Sequence, residues 1–336
     1  MTEQQDVEIV AVADICPARR QLVVQQLPNA RVYTDYEILL EQEGAELDFV
    51  DIATPPNVHA DIAIAAMRKG LHVLCEKPLT TTPELAEQLI QEAVRNERVI
   101  FPCHNYKHAP VVKTIRQIVE SGRIGRVRSV TLSTFRNTHA KGVTEWFSNW
   151  RRDARYSGGG IAMDHGSHTF YLTFEWLDSY PTHVTAKMST LDSDRYDTED
   201  NFSAVATFPS GLAHVHLTWT AGVRKVIYTL QGEKGALTVE DDNIEVAVQQ
   251  PTSGEDVAQG AVQWSVERIS VASQWMDASH VQWFNSLFDQ FRRAIDSKDY
   301  VGKEAREAVS CVRLIHAAYE SARAQSVEVP VDCLKS

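Results

Sequence analysis

The sequence predicts an α/β protein in which a parallel sheet is followed by an α+β domain with a large, mostly antiparallel open sheet. Between residues 7 and 102, β-branched runs alternate with helix-like segments, which is typical of parallel βαβ units. Beyond residue 125, short strand-like stretches are separated by tight polar turns, which is typical of antiparallel pairing. The chain length of 336 residues favours two domains, which we place at 1–105 and 106–336.

In the first domain, the predicted strands are 7–13, 47–53, 72–75 and 99–102, and the predicted helices are 15–27, 58–69 and 83–96. Ligands of parallel sheets bind outside the carboxyl ends of the strands. Those ends carry Asp14, the segment 54–57, the segment 76–78 and the segment 104–106. We therefore expect the site among these residues.

In the second domain, the predicted strands are 127–137, 182–190, 201–208, 212–220, 225–231, 236–240, 243–248 and 327–331, and the predicted helices are 110–121, 279–297 and 303–324. The consecutive strands from 182 onwards indicate an antiparallel meander. The polar segment 250–263 is expected to be a mobile loop. His214 and His216 have strand spacing and no neighbouring carboxylate or thiol, so they are interpreted as sheet-face residues and no metal site is predicted.

Composition and charge exclude several functions. A net charge of −12 argues against nucleic acid and anionic membrane surfaces as partners. No apolar stretch is long enough to cross a bilayer, and the acidic N-terminus is unlike a signal peptide. The five cysteines have neither zinc-site nor redox-motif spacing. We expect a cytoplasmic enzyme that acts on a small molecule.

Two residues at the strand ends have side chains suited to redox chemistry. An acidic residue such as Asp14 can hold the adenosine ribose diol and repel a 2′-phosphate, which favours NAD over NADP. Lys77 can stabilise a developing alkoxide. The alternatives are that Asp14 caps the following helix and that Lys77 is a solvated surface residue.

A third feature is the glycine run 158–160 followed by a helix-like segment containing Asp164 and His168. Residues four apart share one helix face, so this spacing suits proton transfer by an imidazole that a carboxylate orients. The alternative is that Asp164 caps the helix and His168 is a packed core histidine.

The pyrophosphate-binding turn G-x-G-x-x-G does not occur in residues 1–104. The strand that ends at Asp14 begins within a few residues of Met1, so the strand that normally precedes it is expected to be missing. We expect the remaining strands to close the gap, or a neighbouring chain to fill it, because unpaired buried backbone groups are costly. A start codon assigned too late is the alternative explanation.

Five segments of the chain carry a family resemblance in their order and spacing. These are the strand ending in Asp14, T-P-P-N at 54–57, E-K-P at 76–78, W-R at 150–151 and G-G-G-I-A-M-D-H-G-S-H at 158–168. In these segments the chain resembles the Gfo/Idh/MocA oxidoreductase family. The family includes relatives of glucose–fructose oxidoreductase and inositol 2-dehydrogenase, and the resemblance covers roughly residues 7–325. It implies a Rossmann-like domain joined to a domain with a large, mostly antiparallel sheet. One face of that sheet commonly forms a dimer interface, so a homo-oligomer, dimer or tetramer, is expected.

The resemblance also implies roles for individual residues. The catalytic residues would be Lys77, Asp164 and His168. The cofactor would be held by Thr54, Pro55, Asn57, His59, Glu76 and Pro78 on the nicotinamide side and by Asp14 and Arg19 on the adenosine side. Candidate substrate-binding residues are Tyr106, Arg151, Tyr156 and His165; further hydroxyl or carboxylate binders are Lys107, Arg136, His139, Trp146 and Arg155.

The implied function is oxidation of a secondary alcohol of a sugar, cyclitol or sugar derivative with NAD as hydride acceptor. His168 would take the hydroxyl proton, Asp164 would orient or tune His168, and Lys77 would stabilise the alkoxide. Without the glycine turn, NAD is expected to be weakly held or lost, with NADP binding less still. Two alternatives stay open, an NAD-using glycosidase or lyase of the same family and a cofactor-free sugar-binding or assembly subunit.

Overall fold

The computed structural model describes residues 7–250, 263–272 and 281–334. Its N-terminal part contains five short parallel strands and four helices. The strands are β1 (Ala11–Ala13), β2 (Arg31–Tyr33), β3 (Phe49–Ile52), β4 (His72–Cys75) and β5 (Ile100–Pro102), and the helices are α1 (Pro17–Gln26), α2 (Tyr36–Glu43), α3 (His59–Arg68) and α4 (Pro83–Asn96). Local capping defines two of the helix starts, since Asp35 accepts a hydrogen bond from the Ile38 N–H and Thr82 from the Leu85 N–H.

These strands form two separate sheets, β1-β2 and β3-β4-β5. The expectation that the remaining strands would close the gap is therefore wrong for the described residues, because β1 and β3 are not hydrogen-bonded to each other. Helix α2 packs against both β1 and α3, so helices connect the two sheets where a strand pair does not. The segments of β2 and α2 were not predicted from the sequence.

The C-terminal part is built around one nine-stranded sheet. Its helices are α5 (Pro110–Glu120), α6 (Ala154–Ser157), α7 (Ile161–Leu177), α8 (Val281–Asp296) and α9 (Lys303–Arg323), and its strands are β6 (Val127–Phe135), β7 (His183–Ser189), β8 (Asn201–Phe208), β9 (Gly211–Thr218), β10 (Lys225–Gly232), β11 (Gly235–Glu240), β12 (Asn243–Gln249), β13 (Trp264–Ser270) and β14 (Val329–Pro330). The strand order is β13-β12-β11-β10-β6-β9-β8-β7-β14. The predicted α/β class with a large, mostly antiparallel sheet is confirmed.

The sheet is not a continuous meander, because β6 lies between β10 and β9 and runs parallel to β9. Strands β7–β9 and β10–β13 form the two antiparallel meanders on either side of it. Strand β13 was not predicted, and most of the predicted mobile loop, residues 251–262, lies outside the described residues. His214 and His216 are half-buried on β9, as expected for sheet-face residues, and His216 Nδ1 lies 2.9 Å from Ser203 Oγ.

Helices α7 and α9 pack together on one face of the large sheet. Helix α9 also contacts α4 and β5, and its residues Ala305, Ala308 and Val309 belong to the core of the N-terminal part. This shared packing holds α7 next to the ends of the parallel strands. All five cysteines are buried and free. Among the described residues, no helix is both long and apolar enough to cross a membrane.

Candidate active site

Lys77 connects the end of β4 to helix α7. Its Nζ donates to the backbone oxygen of Asp164 at 2.6 Å and lies 3.2 Å from Asp164 Oδ1. The side chain of Lys77 is only 14% exposed, so it is not the solvated surface lysine of the alternative interpretation. The E-K-P segment and the D-x-x-x-H segment, 87 residues apart, therefore meet in one place.

The Asp164 carboxylate also contacts Arg151, whose Nε lies 3.2 Å from Oδ1. Burial favours the neutral acid, but the charges of Lys77 and Arg151 outweigh it and hold the pKa of Asp164 well below its usual range. Asp164 is thus an anion shared by two cations. The contacts given for Asp164 are to these two cations, and its role of orienting or tuning His168 stays a prediction.

His168 is oriented by tyrosines. Its Nδ1 lies 2.8 Å from the Tyr171 hydroxyl, and its ring stacks on Tyr106 with 3.9 Å between centroids. The Tyr171 hydroxyl also accepts from the Tyr106 N–H at 3.2 Å. Burial, with the nearby Lys77 charge, lowers the pKa of His168 well below 6.5, so the ring is neutral at pH 7. A neutral imidazole can accept a proton.

His165 lies in the same cluster, with its ring centroid 5.5 Å from that of His168. It is 9% exposed, and burial together with the charge of Arg136 lowers its pKa to about 3. The cluster therefore holds two neutral imidazoles beside an anion and several cations. His165 is the second candidate for proton transfer.

The start of α7 is fixed by a residue that sequence reasoning missed. The Glu199 carboxylate accepts from the N–H groups of Gly160 and Ala162 at 2.9 and 3.1 Å and from the Tyr319 hydroxyl at 2.6 Å. The carboxylate thus satisfies free N–H groups at the helix N-terminus. Helix α7, which carries the catalytic candidates, is therefore capped from the loop before β8 and from α9.

The candidate nicotinamide-side residues follow β3 and β4. Thr54 is exposed, and Pro55, Asn57 and Glu76 are half-buried. His59 and Pro78 are buried, and the His59 ring nitrogens lie 2.8 Å from the Thr54 oxygen and 3.0 Å from the Pro78 oxygen. His59 can therefore act on a ligand only by positioning the two loops. Burial raises the pKa of Glu76, whose carboxylate accepts from the Lys77 N–H at 3.1 Å.

On the candidate adenosine side, Asp14 and Arg19 are both half-buried. One carboxylate oxygen of Asp14 accepts from the Cys16 N–H at 2.8 Å, so Asp14 closes a local turn before α1, whose N-cap position is Cys16 and not Asp14. Cys16 Sγ donates to the Glu145 backbone oxygen at 3.3 Å, which places the segment 139–149 next to the start of α1. Arg19 lies near the Glu145 carboxylate.

The candidate substrate residues divide into two groups. Tyr106 and His165 lie in the His168 cluster, and Arg151 reaches it through Asp164. Tyr156 packs instead against Trp146 and Phe147 at ring centroid distances of 5.5 and 5.6 Å. The remaining candidates have other partners: His139 lies near Tyr196 and Asn149, Arg155 pairs with Asp153, and Lys107 pairs with Glu304 and Glu307.

One group of residues in the described part of the chain could hold a metal ion. The ligand atoms of His104, Glu304 and Glu307 lie within 4.8 Å of one another. The Lys107 ammonium contacts both carboxylates and supplies positive charge there. We therefore interpret the group as a buried ion-pair cluster.

Two family models match the chain. "Oxidoreductase family, NAD-binding Rossmann fold" matches residues 1–104, and "GFO/IDH/MocA C-terminal domain" matches residues 112–238. Similar curated proteins include levoglucosan dehydrogenase of Pseudarthrobacter phenanthrenivorans, 28% identical over 60% of this chain and 46% of that protein. D-Glucoside 3-dehydrogenase of Escherichia coli is 27% identical over 61% of each. The chain spans about half the length of the first curated relatives it matches.

Solved structures share the fold over nearly the whole chain. A levoglucosan dehydrogenase in complex with NADH and levoglucosan has a TM-score of 0.79 at 20% identity, covering 97% of this chain and 90% of the other. An inositol dehydrogenase homologue from Azotobacter vinelandii, complexed with NAD+, has a TM-score of 0.77 at 24% identity, covering 96% and 90%. At these identities the similarity establishes the fold.

Proposed function

The chain belongs to the Gfo/Idh/MocA oxidoreductase family, and on that premise we propose that it oxidises a secondary alcohol of a sugar, cyclitol or sugar derivative with NAD as the hydride acceptor. The observation that carries the proposal is the meeting of Lys77 with Asp164 beside a neutral, buried His168. A cation, an anion and a proton acceptor at the carboxyl ends of parallel strands suit alcohol oxidation.

In this mechanism His168 takes the hydroxyl proton on Nε2. Nδ1 then carries its own hydrogen and donates it to the Tyr171 hydroxyl oxygen. Lys77 stabilises the alkoxide, and Asp164, itself paired with Arg151, holds Lys77 in place. Bound NAD, held beside the residues that follow β3 and β4, would supply the hydride-accepting chemistry.

The chain has candidate residues for the nicotinamide and adenosine ends of NAD, but it lacks the usual glycine-rich turn for the pyrophosphate between them. Thr54, Pro55 and Asn57 would hold the nicotinamide side, with His59 and Pro78 supporting them, and the free oxygen of Asp14, with Arg19, would hold the adenosine side. Residues 1–104 contain two glycines, Gly44 and Gly70, and no G-x-G-x-x-G. Because the phosphates lack those backbone donors, this chain is expected to bind NAD(H) weakly, and NADPH more weakly still.

Calorimetric titration of the 336-residue chain with NADH and NADPH tests the cofactor assignment. NADH is expected to bind with a weaker affinity than low micromolar and NADPH to bind less, and Asp14→Ala should remove that preference. Tight NADH binding would contradict the weak-binding proposal. If neither cofactor binds detectably and a sugar does bind, the result would support the cofactor-free alternative.

Three organisational proposals accompany this function. The domains are proposed to divide after residue 105, with α9 packing against both.

The half-buried sheet face carrying Thr131, His214 and His216 is proposed as the contact in a homo-oligomer, which sedimentation would detect. The five free cysteines support a reducing compartment, and we propose the cytoplasm.

A further inference from the structure

Two arginines occupy opposed positions at the ends of neighbouring strands. Arg136 directly follows Phe135 on β6, and Arg224 directly precedes Lys225 on β10. Phe135 and Lys225 are paired in the antiparallel register, so Arg136 and Arg224 are the next opposed pair. Cβ atoms of opposed residues lie about 4.5–5.5 Å apart. Continuing the strand register by one residue therefore sets the two arginine side chains next to each other.

Both arginines belong to the side-chain rows on the face of the sheet that helix α7 covers. Leu132 and Thr134 on β6 and Val226 and Tyr228 on β10 are buried on the face that α7 covers, and Tyr228 contacts Trp176 of α7 at 5.6 Å between ring centroids. Because side chains alternate along a strand, Arg136 and Arg224 continue the same two rows. They extend those rows beyond the last paired residues.

The other contacts of these arginines place them beside the catalytic cluster. The Arg136 guanidinium hydrogen-bonds the side chain of Tyr106, whose ring stacks on His168. Both arginines lie close enough to His165 to favour its neutral form, in addition to the effect of burial. The pair therefore lies beside the cluster of Tyr106, His165 and His168.

The two acidic side chains near this pair have other partners. Among the described residues, neither guanidinium has a carboxylate oxygen within 4.0 Å. Asp241 lies near Arg224, but its Oδ1 accepts from the Val226 N–H at 2.9 Å, and Asp164 is held by Lys77 and Arg151. Partial desolvation and the neighbouring Arg136 charge lower the pKa of the otherwise exposed Arg224. Opposed like charges destabilise a sheet unless an anion lies between them.

We propose that Arg136 and Arg224 bind an anionic group of the substrate, so that the alcohol oxidised here belongs to a sugar acid or sugar phosphate instead of a neutral sugar. This inference rests on the function proposed above. Guanidinium groups bind carboxylate and phosphate oxygens in a bidentate manner. In a chain with a net charge of −12, such a cationic site also attracts an anion that the rest of the surface repels.

The test compares three probes that share one ring: glucuronate, glucose 6-phosphate and glucose. Their binding to the 336-residue chain is measured by calorimetry without cofactor, and their oxidation is then measured as NADH formation with NAD in excess. At least one anion is expected to bind about 10–100-fold more tightly than glucose, the range expected of one charge-assisted hydrogen bond. The stronger of the two anions distinguishes a carboxylate from a phosphate ligand.

Three variants locate the effect. Arg136→Gln and Arg224→Gln should each reduce anion affinity about tenfold or more and reduce glucose affinity much less, and Arg224→Lys should recover part of the anion affinity. Arg126→Gln, at the opposite end of β6 and exposed, is the matched control and should keep the preference. Arg224 is exposed, so its variant stays informative where the half-buried Arg136 variant fails to fold.

Two binding results would overturn the inference: glucose binding as tightly as both anions, or an anion preference that survives Arg224→Gln. Faster oxidation of glucose than of either anion would also contradict it while leaving the proposed oxidoreductase function intact. Anion binding that depends on both arginines, with no NADH formed from any probe, would support the anion site and count against the function.

Discussion

At the scale of single residues, the site depends on one buried carboxylate between two cations. Asp164 is held at 3.2 Å by both Lys77 and Arg151, and their charges keep it ionised although burial opposes this. Lys77 is therefore fixed by an ion pair and by the Asp164 backbone oxygen at 2.6 Å. A fixed ammonium can stabilise developing negative charge without reorganising during the reaction.

Replacing Lys77 or His168 by Ala should reduce kcat strongly while the chain stays folded, because both groups act on charge that develops in the transition state. For His168→Ala, we expect a loss of about 10²–10⁴-fold in kcat, measured with the substrate that reduces NAD. Lys69→Ala, exposed at the end of α3, is the matched control and should retain full activity. An unchanged kcat in His168→Ala would transfer the role of base to His165.

The sequence motifs brought Lys77, Asp164 and His168 into one hypothesis because each lies directly after a recognisable element. They did not identify the partners that orient them. Tyr171 is three residues beyond His168, yet only the fold shows its hydroxyl at Nδ1. Glu199 and Arg224 are separated from the motifs by strands and loops, so no local spacing could place them. Residue types were predictable; tertiary partners were not.

At the scale of elements, the entry into α7 determines where the catalytic side chains lie. Gly158 has a φ of 77°, and Gly160 lies so close to Glu199 that an added Cβ would meet the Glu199 backbone oxygen at 1.9 Å. These two positions explain why the glycine run stands immediately before the helix. The close approach of the Gly160 backbone to Glu199 determines where helix α7 begins.

Gly160→Ala should therefore lower the free energy of unfolding by about 1–3 kcal/mol or more, because the backbone must move to accommodate the methyl group. Gly222→Ala is the matched control, since an added Cβ there has no atom within 4 Å and should change stability by less than about 0.5 kcal/mol. Thermal unfolding followed by circular dichroism measures both. Equal melting temperatures for the two variants would contradict the close approach.

Most elements were predictable from period and turn signals. The predicted helix 83–96 and strand 201–208 have the observed bounds. Strand β2 has three residues and lies on a small two-stranded sheet, so its pattern was too short to recognise. Strand β6 pairs with β9, and the alternation of buried and exposed side chains along either strand does not determine which strand it pairs with.

At the scale of the whole molecule, buried neutral histidines link stability to pH. Burial lowers the pKa of His59, His104, His108, His165 and His168, to about 4 for His108 and about 3 for His165. Below about pH 6.5 the unfolded chain binds protons on these rings that the folded chain does not. Their contribution is fully present above pH 6.5 and is lost as the pH falls.

The melting temperature should therefore decrease from pH 7.5 to pH 5.5, with each such histidine contributing about 1.4 kcal/mol per pH unit below its unfolded pKa. The raised pKa of the Glu199 and Glu307 carboxyl groups, caused by burial, opposes this trend at lower pH. In His108→Gln the melting temperature should change less with pH. The melting temperature of the same variant at pH 8 is the reference value. A melting temperature that rises towards pH 5.5 would contradict the buried neutral state.

The proposed reaction transfers a hydride from a sugar carbon to NAD, and deuterium transfer tests that proposal most directly. The chain is incubated with NAD and with glucose, glucuronate or glucose 6-phosphate deuterated at every carbon, and the nicotinamide is analysed by mass spectrometry. We expect one deuterium in the reduced nicotinamide for each ketone formed, and none with His168→Ala. Sugar binding without deuterium in the nicotinamide and without a ketone product would contradict the claim.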